Sequence, residues 1–335
     1  MSRQYHVAVV GATGAVGVEM IKTLEKRHFP VGKLSLFASA RSKGKTLDFR
    51  GKPVPVHELT HDCFKGVEIA LFSAGASRSR EFAADAVKAG AVVIDNSSAF
   101  RMDPTAPLVV PEINPEDIRK HQGVIANPNC STIIMLMPLW PLHRIAKLRR
   151  VLVSTYQAAS GAGAQAMAEL EDQTRDVLAG KQAVPKIMPH RYAFNLFSHN
   201  TAIGENGYNE EENKMVKETW KILHDDTIKV CPTCIRVPVL RAHSESIVAE
   251  FEKPISVAQA REALAKAPGL KLVDDRERNL FPMPIEATEQ YDCLVGRIRE
   301  DMTHTNSLAL FVAGDQLLKG AALNAVQIAE VLIKP

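Results

Sequence analysis

A cysteine stands in the run Asn127-Pro128-Asn129-Cys130-Ser131-Thr132, directly ahead of the apolar stretch Ile133-Ile134-Met135-Leu136-Met137. Pro128 and Asn129 disfavour helix up to that point and Asn129 is a good N-cap, so Cys130 is expected to open a helix with its sulfur near unpaired amides. The partial positive charge there favours thiolate, the reactive form, and marks Cys130 as a nucleophile. A lone cysteine is more often a small buried hydrophobe. The rest of the chain turns the reading.

A second chemical signature opens the sequence. Tyr5 to Val10 reads as a strand, Gly11-Ala12-Thr13-Gly14-Ala15-Val16-Gly17 as a glycine turn, and Val18 to Leu24 as an apolar-periodic helix. Gly11 allows the tight turn, Gly14 lets backbone approach a pyrophosphate, and Gly17 permits close helix–strand packing. Thr13, Ala15 and Val16 complete a cradle whose amides face an anion. A purely structural glycine turn is the bland alternative.

The next strand, Leu34 to Phe37, should present the residue that reads the adenosine ribose. An NAD site usually puts an acid there. This chain has Ala38-Ser39-Ala40-Arg41-Ser42-Lys43 instead, with no acid before Asp48. Ser39, Arg41 and Ser42 suit a 2′-phosphate, which favours NADP over NAD; a solvated basic loop is the competing reading.

The elements that must position these groups alternate along the first third. Ile69–Phe72 reads as a buried strand ending at Ser73-Ala74-Gly75, Arg80 to Lys88 as a helix stopped by Gly90, and residues 91–95 and 123–126 as further strands. Such βαβ alternation implies a Rossmann-type doubly wound parallel sheet whose ligands lie beyond the carboxyl ends of its strands. Ser73-Ala74-Gly75, Asn96-Ser97-Ser98 and Asn127 to Cys130 all occur at such ends, so cofactor and Cys130 are expected on one rim. After Arg150 the strand-like segments 151–156, 247–251 and 291–298 suggest a second, α+β domain with a mixed sheet. The expected division is 1–129 for dinucleotide binding, 130–314 for catalysis, substrate and dimerisation, and 315–335 as a helix with a small-residue stripe (Ala321, Ala322, Ala325, Ala329) returning to the first domain.

At 335 residues and 46% hydrophobic, the chain is suited to two domains with real cores. A net charge of +3 with scattered basic residues leaves no footprint for a nucleic-acid partner. The apolar run from Ile133, broken by Pro138 and Pro141, is too short for a membrane span, and no secretory leader is read at the start. Five widely spaced cysteines fit a reducing compartment, and a cytoplasmic location is expected. Cys231-Pro232-Thr233-Cys234 is formally a CxxC but lacks a second ligand pair, and residues 235–239 read as strand, so no metal is expected.

Taken together, Gly11 to Gly17, Asn127 to Thr132, Gln157-Ala158-Ala159-Ser160-Gly161-Ala162-Gly163, Glu211-Glu212-Asn213-Lys214, the run Arg236 to Ser244, and Lys319-Gly320-Ala321-Ala322-Leu323-Asn324 resemble the aspartate-β-semialdehyde dehydrogenase family over essentially the full length. The resemblance implies a semialdehyde dehydrogenase/glyceraldehyde-3-phosphate dehydrogenase-like fold and an NADPH-dependent reductive dephosphorylation of L-aspartyl-4-phosphate to L-aspartate-4-semialdehyde. That reaction serves lysine, threonine, methionine and diaminopimelate biosynthesis. It also implies a homodimer or dimer-based tetramer with small-molecule partners, inorganic phosphate among them.

Residue roles follow from the matched motifs. Cys130 is the nucleophile that forms a thioester, and His243, seven positions after the substrate arginine Arg236, is the acid–base group, acting as base and then acid. Among the other histidines, His190, His199 and His224 lack such a partner. Gln157 orients the acyl intermediate. Arg236 resembles the bidentate grip on the α-carboxylate, Glu211 the partner of the α-ammonium, and Arg101, Lys214 and Asn129 the phosphate-binding set. Ser160 and Gly161 let the nicotinamide approach Cys130, and Gln316 lies where the family uses an amide near that ring; Ser73, Ala74 and Gly75 form a cofactor loop in which Ala76 departs from a second glycine common among members. Two alternatives remain at this level. N-acetyl-γ-glutamyl-phosphate reductase shares fold and thiol chemistry but typically has Pro-Gly-Cys-Tyr at the nucleophile, and a catalytically silent nucleotide-binding relative would keep the glycine turn alone.

Overall fold

The computed structural model describes residues 3–334. They form two compact units, the first made of residues up to Asn129 together with those from Ala321 onward, the second of Cys130–Gly320.

In the first unit, β1 (Tyr5–Val10), α1 (Ala15–Lys26), β2 (Val31–Ala38), β3 (Thr46–Phe49), β4 (Lys52–Glu58), β5 (Ile69–Phe72), α2 (Ala76–Lys88), β6 (Val92–Asp95) and β7 (Val124–Ala126) follow in chain order. The seven strands lie in the order β3-β4-β2-β1-β5-β6-β7, all neighbours parallel except the β3–β4 hairpin at the edge. Alternate residues serve opposite layers. Val7, Val9, Leu36, Leu71 and Ile94 pack with Met20 and Leu24 of α1 and with Ala322, Ala325 and Ala329 of the C-terminal helix. Ala8, Val10, Phe37, Phe72 and Val93 pack with Phe82 and Ala86 of α2 on the other side. A sheet buried on both faces needs strands apolar at every position, and β5 is buried at all four.

Gly11 and Gly17 show why the first turn is glycine-rich. Gly11 has φ +83° and a Cβ there would lie 2.3 Å from the Ser73 carbonyl oxygen; a Cβ on Gly17 would lie 2.2 Å from the Gly11 oxygen. Both positions exclude a side chain. Helix α2 starts four residues before the expected Arg80, because Gly75 at φ 85° ends the loop and caps it.

The helix expected from 315 onward is shorter. An α-helix spans Leu323–Leu332, preceded by a π turn at Leu318–Ala322. Asp315 is the reason: its carboxylate accepts from the amides of Leu317 (2.9 Å) and Glu289 (2.7 Å) and from Arg241 Nε (2.7 Å), holding 315–317 out of the helix. Residues 315–320 accordingly fall in the second unit, in place of the boundary expected after 314.

The second unit contains α3 (Cys130–Ala146), β8 (Leu148–Gln157), α4 (Ala164–Leu178), β9 (Phe197–Ser198), α5 (Glu210–Leu223), β10 (Lys229–Arg236), β11 (His243–Phe251), α6 (Val257–Lys266), β12 (Leu270–Leu272), β13 (Cys293–Glu300) and β14 (Ser307–Gly314). Its sheet is mixed, in the order β12-β13-β14-β11-β8-β10-β9, with β10–β8 and β12–β13 parallel and the other pairs antiparallel. Helix α3 continues through Pro138 and Pro141 and is buried almost all round, as a helix apolar on every face must be. The strand expected over 235–239 ends at Arg236 and begins at Lys229, so the CxxC lies inside it. Cys231 is exposed and Cys234 buried, on opposite faces of the sheet. Among the described residues no helix is long and apolar enough to cross a membrane.

Candidate active site

Four elements of the second unit bring the chemistry together. The parallel strands β8 and β10 end side by side at Gln157 and Arg236, paired in register, and the antiparallel β11 begins beside them at His243. Cys130 starts α3, and its neighbour Ser131 accepts a hydrogen bond from Gln157 Nε2 at 2.8 Å. The same amide reaches Glu211 Oε1 at 3.4 Å. Packing is close around the nucleophile: a Cβ on Gly320 would come 2.8 Å from the Cys130 Cβ.

Helix α5 places Glu211. Asn209 caps the helix, accepting from the Glu212 amide while Glu212 Oε2 accepts from the Asn209 amide, both at 2.9 Å. The other Glu212 oxygen accepts from the Cys234 amide at 2.9 Å and ties the helix to β10. Glu211 is then buried, one turn from the partly exposed ammonium of Lys214 at 3.5 Å, which also meets Glu210 at 3.3 Å.

His243 is fully buried, and burial with the nearby Arg236 charge holds its imidazole well below the usual value, so it is neutral. The Ala158 amide donates to Nδ1 at 2.9 Å, which leaves the proton on Nε2. That nitrogen has no protein partner and faces Gly161, whose added Cβ would sit 3.0 Å from it and 2.9 Å from Cε1. The arrangement offers a neutral N–H donor at Nε2, the acid half of the expected role. Gly161→Ala should displace His243 and the Arg236 fork, also 3.0 Å from that Cβ, and lower kcat/KM by about 100-fold. Steady-state kinetics beside a thermal melt check this; a melting point near wild type with normal kinetics contradicts the packing role.

Arg236 is buried and donates from Nη1 to the Ala158 carbonyl (3.2 Å) and from Nη2 to His199 Nε2 (2.8 Å), leaving Nε without a partner. His199 therefore does have a functional neighbour, contrary to the expectation that set it aside. Its Nε2 accepts, its Nδ1 meets Thr201 Oγ1 at 3.1 Å, and burial beside the Arg236 charge pushes its pKa down to about 4. A neutral His199 steers the guanidinium without competing for an anion. The sequence gives no spacing signal for it, because Phe197–Ser198 is a two-residue edge strand brought beside β10 only by the fold.

Gln316 is hydrogen-bonded within the protein at both ends of its amide. Its Oε1 accepts from the Ala242 amide at 2.9 Å and its Nε2 donates to Ser160 Oγ. Ala242 has φ 70°, so Gln316 braces the strained residue that precedes His243.

The first unit carries a separate cleft of about 570 Å³ at the carboxyl ends of β1, β2 and β5. Gly11, Thr13 and Gly14 form one wall, Ser39 and Arg41 another, and Ser73 with Ala74 the floor. Ala15 and Val16 begin α1, whose first amides are the unpaired donors of a helix start. Ser42 lies behind the wall, buried, with its hydroxyl 3.2 Å from Thr13 Oγ1. A glycine corner that tolerates no side chain, donors at a helix start and a guanidinium at the rim fit a dinucleotide. Arg101, also in this unit, is nearly buried and donates to the carbonyls of Asn127 and Asn96, both at 3.0 Å. Asn129 is buried at the unit's end. No cluster of three or more potential metal ligands occurs among the described residues.

Two family models match: the NAD binding domain of semialdehyde dehydrogenase over residues 6–121, and its dimerisation domain over 139–319. Aspartate-semialdehyde dehydrogenase from Synechocystis is 55% identical over 334 residues, covering 100% of this chain and 99% of its own. That of Aquifex aeolicus is 53% identical with 98% of each covered. Among solved structures, aspartate semialdehyde dehydrogenase II of Vibrio cholerae complexed with ASA superposes with a TM-score of 0.97 at 45% identity over 99% of both chains. With matches of this extent over both units, the chain belongs to the aspartate-semialdehyde dehydrogenase family of oxidoreductases.

Proposed function

We propose that the chain converts L-aspartyl-4-phosphate reversibly into L-aspartate-4-semialdehyde and phosphate with NADPH, through a thioester on Cys130. The observation that carries this reading is the hydrogen-bonded chain Ser131–Gln157–Glu211 beside a neutral, Nε2-protonated His243. A nucleophile, an acyl-orienting amide, an ammonium partner and an oxyanion donor are the groups the reaction requires. The Vibrio cholerae relative, whose structure holds ASA, supports the substrate class.

The Cys130 sulfur attacks the acyl carbon and the C–O bond to phosphate breaks, giving the thioester. Arg236 holds the α-carboxylate, Glu211 the α-ammonium, and Arg101, Lys214 and Asn129 receive the phosphate. When bound, NADPH supplies the hydride that reduces the thioester carbonyl. His243 Nε2–H donates to the carbonyl oxygen as negative charge builds, the way a neutral imidazole serves as an electrophile. Collapse then breaks the C–S bond, releases the aldehyde and returns the thiolate to Cys130. Gln157, fixed by Ser131, keeps the acyl group in line.

Ser39 and Arg41, which line the first-unit cleft, support NADPH as the preferred cofactor, with Ser42 bracing Thr13 behind them. Arg41→Ala should weaken NADPH binding about tenfold while changing NADH little; equal losses, read by fluorescence titration, would refute the 2′-phosphate assignment. The match to a dimerisation domain supports a homodimer or a dimer of dimers. Five cysteines at wide spacing support a reducing, cytoplasmic setting, and the product feeds lysine, threonine, methionine and diaminopimelate synthesis. The test is NADP reduction followed at 340 nm: turnover should need both semialdehyde and phosphate, and reduction independent of phosphate contradicts the reading.

A further inference from the structure

The end of β2 carries no acid, yet the cleft contains one. Strand β4 pairs in parallel with β2 and sets Glu58 directly opposite Ala38, while the Leu59 amide donates to the Ala38 carbonyl at 2.9 Å. Glu58 thereby reaches the place where a dinucleotide fold keeps its ribose-reading carboxylate, from the neighbouring strand instead of from β2 itself. It lines the same 570 Å³ cleft as Ser39 and Arg41, and so does Arg78 from the first turn of α2.

Both groups are tethered loosely. Glu58 pairs with Lys43 at 3.4 Å and Arg78 with Glu81 at 3.2 Å, and all four side chains are 40% exposed or more. Exposed pairs of this kind are weak and exchange readily for a ligand. The cleft therefore presents one acceptor suited to a ribose 2′-hydroxyl and two guanidinium groups suited to a 2′-phosphate.

The geometry points to Glu58 and Arg78 as an opposed pair that sets the choice between phosphorylated and unphosphorylated adenosine ribose, an inference that rests on the dinucleotide reading of this cleft. With a 2′-hydroxyl ligand, Glu58 accepts the hydroxyl proton in a hydrogen bond and releases Lys43. With a 2′-phosphate, Glu58 stays on Lys43, and Arg78 leaves Glu81 to join Arg41 on the phosphate. A carboxylate near the phosphate repels it, so Glu58 limits the preference that the arginines create. The site is then tuned for tolerance of both dinucleotides.

Calorimetric titration of the full chain with 2′,5′-ADP and with 5′-AMP tests this, since the two probes differ only in the 2′ group. Glu58→Ala should tighten 2′,5′-ADP about fivefold and weaken 5′-AMP about fivefold. Arg78→Ala should weaken 2′,5′-ADP about tenfold and leave 5′-AMP unchanged. A merely structural role would move both ligands in the same direction in either variant, and that result, or no change, overturns the inference. The NADP reading fails separately, if the unmodified chain binds 5′-AMP more tightly than 2′,5′-ADP; opposite shifts in Glu58→Ala would still uphold the role of Glu58.

Discussion

Cys130→Ala should abolish turnover, lowering kcat by roughly four orders of magnitude or more, because no other group can take the acyl carbon from phosphate. The loss should be chemical rather than structural. Alanine retains the Cβ against which Gly320 packs, and the helix it opens is held by eleven buried residues after it in α3. The cleft proposed to take 2′,5′-ADP is lined by first-unit residues alone, so its affinity for that probe should be unchanged in calorimetry. Stopped-flow and steady-state assays with semialdehyde, phosphate and NADP measure the effect. Activity within tenfold of wild type would refute the thioester route.

His243→Asn should slow the chemical step by about 100- to 1000-fold with little change in KM, since the lost donor acts on charge that develops during reaction. A large rise in KM alone would make His243 a binding residue. Its pH behaviour carries a sign. Burial and Arg236 depress the folded-state pKa below the ordinary 6.5, so the group stays neutral where an exposed imidazole would be half protonated. Falling pH must reach that depressed value before Nδ1 gains a proton and the Ala158 amide loses its acceptor. The acid limb of kcat should therefore lie below pH 6.5, and folding stability should fall as pH drops from 6.5 toward that value, because the unfolded imidazole takes up a proton there while the folded one does not. An acid limb centred above pH 6.5 contradicts the assignment.

The central strands of the first sheet were legible because β5 is apolar at every position, β1 and β6 nearly so, and glycines mark the turns that follow β1 and β5. Ile69–Phe72 and the turn at Gly11 follow from sequence with little ambiguity. The hairpin β3–β4 was not, since Pro53 and Pro55 argue against a strand and are tolerated because that part of β4 pairs with β3 alone, the pairing with β2 beginning only at Val56. Missing that hairpin also hid Glu58, whose place beside Ala38 is a matter of strand order rather than spacing. In the second unit, motif runs located Cys130, Gln157, Glu211, Arg236 and His243, and the fold joins four of them through hydrogen bonds to Ser131, Ala158 and one another. The direction of the His243 proton was beyond sequence, because it depends on one backbone amide at the end of a neighbouring strand. The late start of the C-terminal helix, at Leu323 instead of 315, was equally hidden, resting on Asp315 accepting three long-range and local donors at once.

Mass spectrometry of the protein mixed with aspartyl phosphate in the absence of any dinucleotide tests the central claim most directly. The account predicts a covalent aspartyl adduct on the peptide bearing Cys130, lost when NADPH is added. An unmodified peptide under those conditions, from protein shown to turn over once NADPH is supplied, would contradict it.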